Sequence, residues 1–376
     1  MLKEKKIGQK IILAVFICCI VFPWPIWFVI GDFIGDKNNK NREMTARPQL
    51  SLTNYGSFAD EYESYFNDTM PFRSVLISLN KKINYFVFHE STSSYVILGK
   101  DGWLFYADTL ADYQRYNLYT DEELETIKNN VLNTKTYFDE RGIEFIIFVA
   151  PNKSSIYGDY MPDKYEVNEG KSRTEQVISY LRNNTDVTIY YPKDDLLEVR
   201  NKYPSLVLYL KLDTHWNYMG GYFGSQSLLK YLGADTADFS RILYEAVNEP
   251  DFFWNGYDMA NMLGLADVLD ADLNYHLIGY SDNTVTFEGD VREDISSFNG
   301  VSISTSDSRD NRRVFFARDS FGEAMSPYLS AAFSYVYSPH ISCMTKTMIE
   351  EQHPDIFIYE FVERTSFDVN IDTWAE

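Results

Sequence analysis

IEFIIFVA, residues 143–150, decides the fold: seven of its eight residues are apolar, and the run breaks at once on Pro151-Asn152-Lys153. It is too short for a helix of its own, so it reads as a strand buried on both faces. Just upstream, Thr120 with Glu123 three residues on makes a helix start. Leu124, Ile127, Val131 and Phe138 share one face of that helix, and Gly142 stops it. Downstream the alternation continues. A helix is expected near Glu175–Arg182, strands at Val187–Tyr191 and Ser205–Lys211, a helix at Gly220–Leu232, a strand at Arg313–Arg318, a helix at Phe321–Ala331 and a strand at Asp355–Phe361. Helices trading places with strands predict an α/β fold with a mostly parallel central sheet covered on both faces.

The chain has 376 residues, 45% of them hydrophobic, enough to fill a sizeable core. Its net charge of −21 excludes nucleic acid, which needs a basic stripe, and disfavours acidic substrates. Of three cysteines, Cys18 and Cys19 lie in an apolar run and Cys343 stands apart, so no disulfide framework is expected.

That apolar run, Ile11–Ile30, holds only apolar residues and proline, long enough to cross a hydrocarbon layer of about 30 Å as a helix. Lys3, Lys5, Lys6 and Lys10 precede it, so the positive-inside tendency keeps the amino terminus cytoplasmic and sends the rest outside. No Ala-x-Ala-like site follows, which favours an uncleaved anchor over a signal peptide. The expected organisation is therefore an anchor at 1–35, a polar linker at 36–52 and an extracytoplasmic domain at 53–376. A stretch rich in Asp, Asn and Ser, about 241–312, reads as an insertion, either a wall or lid of the substrate site or a surface excursion without function.

In open parallel sheets ligands collect at the carboxyl ends of strands. Three such ends carry chemistry here: Pro151-Asn152-Lys153, Asp213-Thr214-His215 and Arg318-Asp319-Ser320. Serine needs a base within reach and donors aimed at the oxyanion. Ser320, between a strand and a helix, is placed as the nucleophile; helix capping is the structural alternative. His215 would take its proton, and Asp213 would orient the imidazole. Asn152, Lys153 and Arg318 are candidates for substrate binding or oxyanion stabilisation. Metal-ligand spacings are lacking, and no cofactor is expected.

Six stretches in this order resemble a known group: YFNDTMPFRS from Tyr65, VILGKDGWLFY from Val96, VAPNKSSIY from Val149, LDTHWNYMGGY from Leu212, RDSFGEAMSPYL from Arg318 and HPDIFIYEFVER from His353. They are similar to the DHHW family and to the SGNH-hydrolase-like domain of the alginate acetylation proteins AlgX and AlgJ. The resemblance implies an SGNH-like three-layer sandwich, with triad roles for Asp213, His215 and Ser320. Where the alginate proteins carry Gly before the Asp-Ser pair, this chain has Arg318. The implied activity is O-acetylation of an exopolysaccharide or cell-wall polymer at the outer side of the cell membrane, with acetyl supplied through a membrane-bound O-acyltransferase. A polysaccharide acetylesterase and a non-catalytic, glycan-binding accessory protein are the alternatives.

Overall fold

Eleven strands lie among the described residues. β1 (Val96–Leu98) and β2 (Leu104–Tyr106) pair as a small antiparallel ribbon, as do β5 (Leu243–Val247) and β6 (Asn274–Ile278). The other seven, β3 (Glu144–Ala150), β4 (Thr188–Tyr190), β7 (Val285–Glu288), β8 (Val301–Ser306), β9 (Arg313–Ala317), β10 (Tyr335–Pro339) and β11 (Ile356–Val362), form one sheet in the order β4-β3-β11-β9-β10-β8-β7. The first five in that order are parallel, and β8 and β7 continue the sheet antiparallel.

Each central strand feeds two cores, because successive side chains point to opposite faces. Ile146, Phe148, Phe316, Ile356 and Ile358 pack on one side with the helices Tyr218–Tyr231 and Ser326–Ala332. Phe145, Ile147, Val149, Phe315 and Phe357 pack on the other with the helices Asp121–Asp139 and Arg173–Asn184. Thr120 and Glu123 close the capping box, and Leu124, Ile127, Val131 and Phe138 are the buried stripe. The result is helix, sheet, helix in three layers.

The computed structural model describes residues 2–22, 25–26, 45–51, 54–236, 239–247, 257–269, 273–288 and 300–376. The chain divides into two compact units, Met1–Thr92 and Ser93–Glu376. The first unit holds the helices Leu2–Val21, Phe58–Thr69 and Arg73–Ile83, the last running into a π-turn at Asn84–Phe88. Among the described residues no helix is long and apolar enough to cross a membrane. The membrane helix expected over Ile11–Ile30 is therefore not seen: the helix there ends at Val21, and residues 23–24 and 27–30 lie outside the described ones, as do 36–44 of the linker.

Two further expectations are corrected. Ser205–Lys211 is not a strand. Leu206, Leu208, Tyr209 and Leu210 are buried, but the backbone is satisfied elsewhere: Leu208 N–H donates to the Tyr157 hydroxyl, Val207 N–H to the Tyr275 hydroxyl, and Leu210 N–H to the His215 carbonyl. Nor is 241–312 wholly an insertion, since β7 and β8 belong to the sheet, β8 pairing from Thr305 opposite Tyr335 to Val301 opposite Pro339. Residues 248–256, 270–272 and 289–299 of that stretch lie outside the described ones.

Candidate active site

The loop Leu210–Asn217 is a tight turn closed by the Leu210 N–H on the His215 carbonyl and the Asn217 N–H on the Leu208 carbonyl. Lys153 holds it from below. Its buried ammonium donates to the carbonyls of Leu210 (2.9 Å), Lys211 (3.0 Å) and Asp213 (2.6 Å). An ammonium has three donors and all three are spent, so the substrate-binding role expected for Lys153 gives way to a structural one.

Ser320 is presented from the loop after β9. Asp319 beneath it is buried and fixed on both sides, accepting from Phe321 N–H (2.7 Å) and from Val362 N–H on β11 (2.8 Å). Arg318, also expected near substrate, is 2% exposed; it pairs with Glu323 and donates to Ser338 Oγ, which makes it part of the scaffold. Trp216 Nε1 donates to the Phe321 carbonyl at 2.8 Å, stitching the histidine loop to the serine loop.

Across that seam the three predicted residues form one chain of hydrogen bonds. Ser320 Oγ lies 2.7 Å from His215 Nε2, and His215 Nδ1 lies 2.6 Å from Asp213 Oδ1. The second carboxylate oxygen of Asp213 accepts the Asp258 N–H at 2.9 Å. Burial raises the Asp213 carboxyl, but the imidazole beside it and the N–H groups it accepts outweigh that and hold it at about 2. Burial lowers the imidazole, and the Asp213 charge and hydrogen bond overcome this, leaving His215 above its ordinary 6.5.

Three carboxylates were missed by the sequence reading. Asp258 accepts from Thr214 N–H (2.9 Å) and Thr214 Oγ1 (2.5 Å); burial and the neighbouring Asp213 raise it. Asp213, His215 and Asp258 offer ligand atoms within 4.8 Å of one another, and each takes part in hydrogen bonds with the residues around it. Glu360, in the middle of a buried strand, accepts Asp319 N–H at 3.0 Å and is raised well above its usual range by burial and Asp319. Glu363 binds Asn152 N–H (2.7 Å), Ser155 Oγ (2.6 Å) and the Tyr191 hydroxyl (2.8 Å); burial and Asp112 push it up to about 7. Charged residues inside an apolar strand were the available signal for Glu360.

Asn152, 2% exposed, has a buried Oδ1 without a hydrogen-bond partner among the described residues. It lines a small cleft with Tyr106, Thr109, Ser154, Thr214 and Arg364.

Geometry and topology together define a serine–histidine–aspartate site on an SGNH-like α/β fold. Residues 96–266 match the family model of the SGNH hydrolase-like domain of acetyltransferase AlgX, so the resemblance read from the motifs holds over that span. A probable alginate O-acetylase AlgJ of Pseudomonas aeruginosa is 23% identical over 181 residues, 48% of this chain and 42% of that protein. The chain thus spans less than half the length of the curated relatives it matches. Bacillus cereus PatB1, solved with a sulfonyl adduct, superposes with TM-score 0.53 at 12% identity, covering 75% of this chain and 100% of that one. A DHHW family protein from Eubacterium siraeum does so with TM-score 0.50 at 16% identity, covering 73% and 95%. These structural likenesses speak to the fold.

Proposed function

We propose that the chain is an extracytoplasmic O-acetyltransferase acting on an exopolysaccharide or cell-wall polymer through an acetyl-Ser320 intermediate. The observation that carries this is the continuous Ser320–His215–Asp213 hydrogen-bond chain. Ser320 Oγ attacks the acetyl carbonyl while His215 Nε2 takes its proton; the donor's leaving group departs with that proton. A sugar hydroxyl then gives its proton to His215 and attacks the acyl carbon, and the proton returns to Ser320 as the ester bond to the enzyme breaks. Asp213, ionised throughout, stabilises the imidazolium. The Asn152 amide, uncommitted at the cleft, is the proposed oxyanion donor together with the Ser320 N–H.

Similarity to an alginate O-acetylase and to the acetyltransferase AlgX domain supports an acetyl transferred to polysaccharide; a membrane-bound O-acyltransferase as its source belongs to the proposal and rests on the motif resemblance alone. The apolar sequence Ile11–Ile30 behind four lysines supports a single-pass address in the cell membrane, with the triad outside. Incubating the purified full chain with an acetyl donor and oligosaccharide tests the reading: acetylated sugar and an acetyl mass on Ser320 are expected. Acetate released without sugar acetylation identifies an esterase. Unchanged polymer acetylation in cells carrying Ser320→Ala identifies an accessory protein.

A further inference from the structure

In the unit Met1–Thr92 the helix Arg73–Ile83 runs on through the π-turn Asn84–Phe88 with its apolar stripe open to solvent. Val75, Leu79, Ile83 and Val87 recur every fourth residue, Leu76 and Phe86 lie beside that row, and all six are between 39% and 64% exposed. Ser74, Ser78 and Lys81, towards the opposite side, are partly covered instead. An amphipathic helix that serves a core buries its stripe and shows its polar side, so this one is turned the other way. A continuous exposed stripe of this kind marks a surface that something covers.

Charge names the occupant. Between Asp68 and Glu90 the sequence has no acidic residue but carries Arg73, Lys81 and Lys82, although the chain holds 55 acidic residues in all. By helical spacing Arg73 and Lys82 fall at the two edges of the stripe, where long basic side chains lay their stems along apolar surface and hold their charges beyond it. A second copy laid antiparallel on the stripe sets these cations against their own equivalents, so self-pairing meets repulsion. An anionic lipid surface offers acyl chains to the stripe and phosphates to the cations. Tyr85, Phe86 and Phe88 supply rings at the same end, and rings of this kind favour the boundary between headgroup and hydrocarbon. Elsewhere the acidic chain is repelled by such a surface, which leaves this face as the one that touches it.

We propose that residues 73–88 lie flat on an anionic membrane surface, with the stripe at the acyl boundary and Arg73, Lys81 and Lys82 among the headgroups. The proposal draws on the single-pass address proposed above and not on the chemistry of Ser320. The test uses the full-length chain carrying Cys18→Ala, Cys19→Ala, Cys343→Ala and Val87→Cys, labelled at residue 87 with an environment-sensitive fluorophore. It is reconstituted into phosphatidylglycerol vesicles with brominated or plain acyl chains. In the brominated vesicles the emission is expected to be roughly halved or less. Adding Arg73→Glu and Lys81→Glu is expected to restore most of it, as is Leu79→Asp with Ile83→Asp, with folding of each variant checked by thermal melting. Equal quenching in brominated phosphatidylcholine, or quenching that survives both pairs of substitutions, overturns the proposal. Flotation reads the anchor separately: a chain that floats with its label unquenched keeps the anchor and overturns the lipid contact, and one that does not float overturns both. A label shielded from water yet unquenched by bromine points to another occupant, a second copy where the shielding falls on dilution and a segment of the same chain where it does not, and either result overturns the proposal.

Discussion

The ammonium of Lys153 lies 2.6 Å from the carbonyl oxygen of Asp213, so the loop after β3 carries the loop that presents the histidine. Lys153→Met keeps the apolar stem and strands three buried carbonyls. It is expected to cost about 3 kcal/mol or more and to lower the melting temperature and acetyl transfer together. An unchanged melting curve would contradict this account.

Ser320→Ala and His215→Ala are each expected to lower transfer by roughly a thousandfold or more without altering the circular dichroism spectrum, and the double variant to be no worse than either, since the two act as a unit. Independent, multiplying losses would argue against a shared proton path.

His215 must be neutral to accept the serine proton, and the Asp213 charge holds it above 6.5. Transfer is therefore expected to rise with pH along a limb whose midpoint lies above 6.5. Asp213→Asn removes that charge, so the midpoint should move down while the rate at the plateau falls. Rate–pH profiles of the two proteins check the sign.

Glu363 is a carboxyl raised from 4.5 to about 7. A raised acid favours folding while protonated, so its contribution is complete below 4.5 and is lost as pH climbs through 7, on the order of 3 kcal/mol in all. Denaturant midpoints measured from pH 4.5 to 8 should decline over that window, and Glu363→Gln should flatten the decline.

A Cβ at Gly221 would sit 2.3 Å from the carbonyl oxygen of Ala324, four residues past the nucleophile. Because the obstacle is backbone, Gly221→Ala is expected to destabilise by about 1–3 kcal/mol and to displace the serine loop, lowering activity. Chemical denaturation and transfer assays together test it.

The central strands were legible because their apolar runs are bounded by breakers: IEFIIFVA by Gly142 and Pro151, RVFFA by the polar stretch before it. Ser205–Lys211 looked the same, and only tyrosine hydroxyls brought from distant segments distinguish it from a strand. VSISTS at 301–306 carries too few large apolar residues to announce an interior strand, yet it extends the sheet beyond β10. At the site, Asp213, His215 and Ser320 were visible as side chains at segment ends. Asp258 and Glu363 were not, since what marks them is which N–H groups they receive, 44 and 211 residues away.

The serine loop is suspended from a strand made after it: Val362 N–H and the Glu360 carboxyl, both on β11, grip the two ends of Asp319. The loop that carries Ser320 therefore reaches this geometry only once the last strand of the sheet to be made lies in place beside β9. Truncation before β11 would leave the Asp319 carboxylate and N–H without these two partners, so it loosens the serine turn even though every triad residue is still present.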